Sequence, residues 1–109
     1  MEILVHSSAR TQLIDITPQV SAWIKKAGVT DGALMIYVPH TTAAVTINEN
    51  ADPDVQLDIQ NAMDKLIPWE DGYRHAEGNS AAHVKSSLVG VSELVAVRNG
   101  RLVLGTWQG

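Results

Sequence analysis

Hydrophobic and polar positions along the chain change period several times, and each change marks an element. Ile3-Leu4-Val5 and Gln12-Leu13-Ile14-Asp15-Ile16 have the short apolar runs of strands, joined by the polar Ser7-Ser8-Ala9-Arg10. Thr17-Pro18 starts a helix: Thr17 can cap it, and Pro18 suits the first helical position, where its missing N–H has no partner to lose. Val20, Trp23, Ile24 and Ala27 fall on one face, Lys25 and Lys26 load the last turn, and Gly28 ends it. After the turn Thr30-Asp31-Gly32, the continuous apolar run Ala33 to Val38 predicts a buried strand that Pro39 stops. Asp52-Pro53 repeats the cap-and-proline start and predicts a helix to about Ile67, with Val55, Ile59, Met63 and Leu66 as its buried stripe. Trp69 to Asn79 is irregular and polar, a loop long enough to suggest a function. Ser80 caps a short helix, Ala81 to Leu88, ended by Gly90. Glu93 to Val97 then reads as a strand, Asn99-Gly100 as a hairpin turn and Arg101 to Trp107 as the return.

The expected architecture is one α+β domain over residues 1–109, with neither repeats nor linkers. Hydrophobic residues make up 45% and charged residues 18% of 109, so the chain can bury a core. Phe is absent, which leaves Val, Ile, Leu and Ala to build that core around three Trp. A net charge of −4 argues against a nucleic-acid partner, since a phosphate backbone calls for a basic surface. With no Cys there is neither a disulfide framework nor a thiolate site. No apolar stretch is long enough to span a bilayer and no signal peptide is visible, so a soluble cytoplasmic protein without a membrane partner is expected.

Chemistry concentrates between His40 and Val55. In an extended chain Thr42, Ala44, Thr46 and Asn48 share one face, and Ala43, Val45 and Ile47 the other. The first face is a wall of hydroxyls and an amide, with His40 at one end and Glu49 at the other. It is a ligand site or a solvated face ending in a helix cap, and Asp52 in particular is accounted for by capping alone. Three histidines, His40, His75 and His83, sit in or beside polar segments, and imidazole is the commonest zinc ligand. No compact metal motif is present, so the spacing leaves metal binding open against hydrogen-bonded histidines. Glu49, Asp52 and Glu77 add hard oxygen ligands or acid–base groups. Gly78-Asn79-Ser80 leading into a helix, followed by Lys85, offers N–H groups and a positive charge to a phosphate, or else an ordinary turn. Ser80 and Ser87 near His83 lack the context of a hydrolase nucleophile.

His40-Thr41-Thr42-Ala43, Asn48-Glu49-Asn50 and Asp52-Pro53-x-Val55 resemble the signature of the YjbQ family, small proteins called secondary thiamine-phosphate synthases. Tyr73-x-His75, Glu77-Gly78, Ala82-His83-Val84-Lys85-Ser86-Ser87 and Gly105-Thr106-Trp107-Gln108-Gly109 resemble its later blocks, in order. The resemblance implies antiparallel, β-sandwich-like sheets with two or three helices, and a homotrimer with sites near subunit boundaries. It also implies a weak synthesis of thiamine phosphate from hydroxymethylpyrimidine diphosphate and thiazole phosphate. Within that expectation Asn48, Glu49 and Asp52 are the catalytic candidates. His40, His75 and His83 are candidate ligands of a divalent metal, zinc or magnesium, and Asn79, Ser80 and Lys85 would hold the phosphate ester. The alternative is a metal- or metabolite-binding homotrimer without turnover, or a structural trimer. Family members continue past Thr-Trp-Gln-Gly through a further strand, absent here, and Ser80-Ala81-Ala82 stand where relatives often carry an acid or a proline.

Overall fold

A computed structural model describes residues 1–109. Helices α1 (Thr17–Ala27), α2 (Pro53–Leu66) and α3 (Ser80–Val89) accompany strands β1 (Gly32–Tyr37), β2 (Ser92–Arg98) and β3 (Arg101–Leu102). The strands form one antiparallel sheet in the order β1-β2-β3, so the class is α+β. Met35 pairs with Leu94 and Ala33 with Ala96 across the β1–β2 ladder. Asn99 and Gly100, both with positive φ (51° and 72°), make the tight β2–β3 turn that the Asn-Gly pair predicts.

The core follows helical spacing on one side and strand alternation on the other. Val20 and Ile24 of α1 are buried against Val97 of β2, with Ile16, Trp23, Val29, Leu34, Ile36 and Leu102 packed around them. Gly28 closes α1 in the left-handed region (φ 69°), and Val29 N–H returns to the Ile24 carbonyl at 3.3 Å. Ala27, expected on the inner face, is exposed.

Several expectations are corrected. The apolar run in β1 buries only one face: Leu34 and Ile36 turn inward, while Met35 and Tyr37 are 67% and 60% exposed. Helix α2 contains no buried residue, and Leu66 is 69% exposed, with Ile67 just beyond it buried instead. Residues 1–16 hold no strand, because neither of their apolar runs finds a ladder partner within the chain. The return strand of the hairpin stops at Leu102, with one further bond from Val103 N–H to the Ala96 carbonyl. Thr17 does not cap α1; its own N–H is taken by the Asp15 carboxylate at 2.9 Å. Ser80 lies inside α3, and Asn79 occupies the cap position without a capping bond.

A thin core leaves a large surface. The accessible area is 7938 Å², whereas a folded chain of this mass exposes about 5,900 Å². The radius of gyration is 15.5 Å, against about 13 Å for a compact domain of this length. Uncovered apolar area lies on the sheet face opposite α1, where Met35, Tyr37, Leu94 and Val103 are all more than half exposed. No helix is long and apolar enough to cross a membrane.

Candidate functional site

His40 follows the end of β1, where Pro39 turns the chain away from the sheet. Thr42 fixes its ring: the Thr42 N–H donates to His40 Nδ1 at 3.1 Å, with Thr42 Oγ1 also at 3.1 Å. A backbone N–H can only donate, so Nδ1 is the acceptor and the neutral ring carries its proton on Nε2. His83 comes from the first half of α3 and lines the same cleft of about 390 Å³, together with Thr41, Ser86, Ser87, Gly90 and Val91. All but Val91 are polar or glycine, so the cleft favours a hydrated, polar ligand over an apolar one.

His75 reaches His83 from the loop before α3. Their ring centroids are 5.3 Å apart at 85°, an edge contact, and Glu77 Oε1 lies 4.0 Å from His75 Nε2. His75 also lines a second recess of about 230 Å³ with Trp69, Glu70, Asp71, Gly72, Tyr73 and Gly78. That wall is braced by Tyr73, whose hydroxyl donates to the Pro68 carbonyl at 2.6 Å, and by Arg10, stacked 4.4 Å over the Trp69 ring. Thus His83 touches His75 on one side and shares a cleft with His40 on the other, joining three separate sequence blocks. No three His, Asp or Glu side chains are arranged to hold a metal ion, so within one chain the donors suit an imidazole-preferring metal in type but not in arrangement.

The serines beside these histidines are occupied elsewhere. Ser86, buried, donates to the Ala43 carbonyl at 2.6 Å and ties α3 to the extended segment after His40. Ser87 donates back along its own helix to the His83 carbonyl at 3.0 Å. Neither hydroxyl is bonded to an imidazole.

The phosphate candidates are only partly gathered. Asn79 and Ser80 sit at the start of α3, and the Asn79 side-chain oxygen is buried without a partner. Lys85, by contrast, forms an ion pair with Asp64 of α2, and its side chain is only 15% exposed. Its charge is therefore committed to holding two helices together. Nothing in the spacing of residues 21 apart marks Asp64 as that partner.

Asn48, Glu49 and Asp52 are not among the residues that line the His40–His83 cleft. Asp52 Oδ1 accepts the Asp54 N–H at 2.9 Å and caps α2, as expected of an acid before proline. Helix rise places it about 18 Å from the Asp64 end of α2. Glu49 pairs instead with Gln108, so the Asn48-Glu49-Asn50 and Trp107-Gln108-Gly109 blocks dock on each other. Asn48 and Gly109 exchange both backbone bonds (3.2 and 3.0 Å), and Asn50 N–H donates to the Trp107 carbonyl at 2.7 Å. A Cβ on Gly109 would sit 2.6 Å from the Asn50 amide nitrogen, so a side chain there would force Asn50 to move. Asn50 is a hub that the sequence did not single out. Its Oδ1 accepts from Gln56 Nε2 at 2.6 Å, and its amide helps hold Asp15 ionised. The Asp15 carboxyl is lowered below the ordinary aspartate range, first by the Thr17 hydroxyl, then by the Thr17 N–H, with burial opposing and Asn50 assisting.

A profile of the family described as UPF0047 protein YjbQ-like matches residues 1–109. The UPF0047 protein YugU of Bacillus subtilis is 56% identical over 106 residues, covering 96% of this chain and 80% of that protein. A UPF0047 protein of Methanocaldococcus jannaschii is 51% identical over 105 residues, covering 96% and 76%. The crystal structure of a YjbQ/UPF0047-family protein from Clostridium acetobutylicum superposes with a TM-score of 0.93 at 50% identity, over 96% of this chain and 81% of that one. A hypothetical protein from Aeropyrum pernix gives 0.89 at 39% identity, over 95% and 78%.

Proposed function

The chain belongs to the YjbQ-like UPF0047 family, and on that premise we propose that it is a small-molecule phosphate-ester enzyme whose pocket centres on His83. The activity is thiamine-phosphate synthase-like, a transfer in which a pyrimidine-bearing carbon loses diphosphate and joins a thiazole nitrogen. The observation that carries the reading is the meeting of three sequence blocks around His83: its ring contact with His75 and its shared cleft with His40. Departing diphosphate needs positive charge or hydrogen-bond donors at its oxygens. His40 supports that role directly, because Thr42 leaves its Nε2–H free to donate. His75 and His83 are the residues that would hold a divalent ion, zinc being better suited to imidazole than magnesium, and the ion would supply further positive charge to a leaving phosphate.

Asn48, Glu49 and Asp52 do not line the His83 cleft, and they would reach such a site from another copy. A cytoplasmic homotrimer with sites at its boundaries and sheets layered into a sandwich accommodates this. Its support is the excess accessible area and the uncovered Met35–Leu94 face of the sheet, since obligate interfaces bury about 2,000 Å² or more. The second reading, binding without turnover, is favoured by the Lys85–Asp64 pair, which withholds the nearest lysine from a phosphate.

The test is zinc titration by calorimetry beside an assay of thiamine-phosphate formation, on wild type, His83→Ala, Glu49→Gln and the control His6→Ala. His83→Ala should weaken zinc binding about tenfold or more, the scale of disturbing a ligand shell. Glu49→Gln should leave zinc binding intact and cut turnover by roughly a hundredfold. Wild-type behaviour of His83→Ala in both assays would overturn the proposal, and zinc binding with no turnover in wild type would establish the second reading.

A further inference from the structure

Asn99-Gly100 is the chain's one Asn-Gly pair, and Asn99 is the one residue other than glycine with a positive φ. The turn is held from outside the hairpin as well as by it. The Asn99 N–H donates to Asp31 Oδ1 at 3.2 Å, and the Gly100 N–H donates to the Thr30 carbonyl at 2.8 Å. Both partners belong to the turn between α1 and β1, so the hairpin tip is docked on that turn. Asn99 itself is exposed, which gives water access to its side chain. The ladder leaves the tip no slack: Arg98 pairs with Arg101 and Val97 with Leu102 immediately below it.

We propose that Asn99 is a covalent modification site that the fold keeps closed, that release of the hairpin tip from the α1–β1 turn opens it, and that the conversion then keeps the tip released. An asparagine side chain is open to attack by the next residue's amide nitrogen, and glycine offers that nitrogen without a side chain to shield it. The Gly100 nitrogen bonds to Asn99 Cγ as the Cγ–Nδ2 bond breaks, and Nδ2 leaves as ammonia, carrying the proton of the Gly100 N–H. Water then opens the succinimide at either carbonyl, giving aspartate or isoaspartate. The docked tip forbids the first step. In a two-residue turn with both φ angles positive, ψ of the first residue is about +30°, which sets the Gly100 nitrogen on the far side of the Cα–C bond from Cβ. The succinimide ring needs the two nearly eclipsed, so the Gly100 peptide plane must rotate by roughly half a turn, and its bond to Thr30 breaks as it does. Either product then opposes return. Aspartate at this position sets a second carboxylate beside Asp31, which holds the Asn99 N–H. Isoaspartate adds a carbon to the main chain inside a turn whose register has no room for it. Leu102, packed against the α1 cluster, lies in the two-residue strand that follows, so a released tip loosens that packing. The inference stands on the hairpin alone and does not depend on metal binding or turnover.

The experiment is peptide mapping by mass spectrometry of the whole chain kept in buffer, in unfolding urea, and as the Asp31→Ala variant in buffer, counting aspartate and isoaspartate at Asn99 together. Conversion in buffer should be slower than in urea by about tenfold or more, the span between a docked and an open segment. Asp31→Ala removes one of the two docking bonds and should speed conversion in buffer about fivefold, the worth of one net hydrogen bond. Equal rates in buffer and in urea would overturn the gate, and an Asn99 that stays unconverted in urea would overturn the site. A wild-type rate in Asp31→Ala would overturn the docking on the α1–β1 turn as what closes it. Converted chain, purified and returned to buffer, should exchange its Gly100 amide about tenfold or more faster than the unmodified chain by NMR. A Gly100 amide equally protected in both would overturn the one-way release.

Discussion

Replacing Ile24 by Ala tests whether the small cluster beneath α1 is what holds the chain together. Ile24 is fully buried (0% exposed) and contributes to the cluster with Val20 and Val97. The change removes three carbons, worth about 0.8 kcal/mol each, or roughly 2.4 kcal/mol of transfer energy. A cavity of roughly 40 Å³ left unfilled adds about 1 kcal/mol, and the better helix propensity of Ala returns a few tenths. The net loss is about 3 kcal/mol, a large share of the roughly 5–10 kcal/mol expected of a domain this size. Urea unfolding followed by tryptophan fluorescence, at fixed chain concentration because assembly adds to apparent stability, should show the midpoint falling by about 2–3 M. Leu66→Ala, at a position 69% exposed, is the control and should cost under about 0.5 kcal/mol. A loss below about 1 kcal/mol for Ile24→Ala would refute the assignment of the core. A loss at Leu66 as large as at Ile24 would show that stability comes from surfaces covered on assembly.

Two further outcomes separate structural from functional roles. Asp64→Asn leaves Lys85, largely buried, without its countercharge; stability should fall by about 1 kcal/mol while inorganic phosphate binds more tightly by calorimetry. Unchanged phosphate affinity would remove Lys85 from any ligand role. Asp15 is held ionised by Thr17, so its contribution is present above the ordinary aspartate pKa and is lost as pH falls through the lowered folded value. Asp15→Asn keeps an oxygen for the Thr17 N–H, so its urea midpoint should fall less than that of wild type between about pH 5 and pH 2, and parallel curves would contradict the assignment.

Elements whose signals are local were legible in the sequence. The Asp52-Pro53 start of α2, the Gly28 end of α1 and the Asn99-Gly100 turn each depend on one or two residues and the backbone angles they permit. What the sequence could not supply was pairing. Ile3-Leu4-Val5 has the composition of a strand, yet composition does not say whether a partner ladder exists, and within this chain none does. The run in β1 was expected to be buried on both faces because every residue is apolar, but only α1 covers it, and from one side. The histidine blocks were legible as polar islands. Their meeting at His83 depends on Ser86 tying α3 to Ala43, a contact between residues 43 apart.

The same limit bears on the catalytic groups. Nearness in the His40–Asp52 stretch made one pocket of imidazole, amide and carboxylates look continuous, because 12 residues is a short distance along a chain. The two polar ends are held by different parts of the chain: Thr41 lines the His83 cleft, whereas Asn48 exchanges two backbone bonds with Gly109. Each end then finds its company elsewhere: His40 with α3, and Asn48 and Glu49 with the Trp107-Gln108-Gly109 block. A carboxylate acts as general base only within hydrogen-bond reach of the proton it takes, or through one water. Glu49 does not line the His83 cleft, and its backbone bridges Gln108 in the other block, so the Glu49 that serves a His83 cleft is expected to come from another copy. A mixture of inactive His83→Ala and inactive Glu49→Gln chains, refolded together, should recover activity in the assemblies where an intact Glu49 meets an intact His83. With both single variants dead, failure of the mixture to recover any activity would place both residues in one chain's site and contradict a site shared between copies.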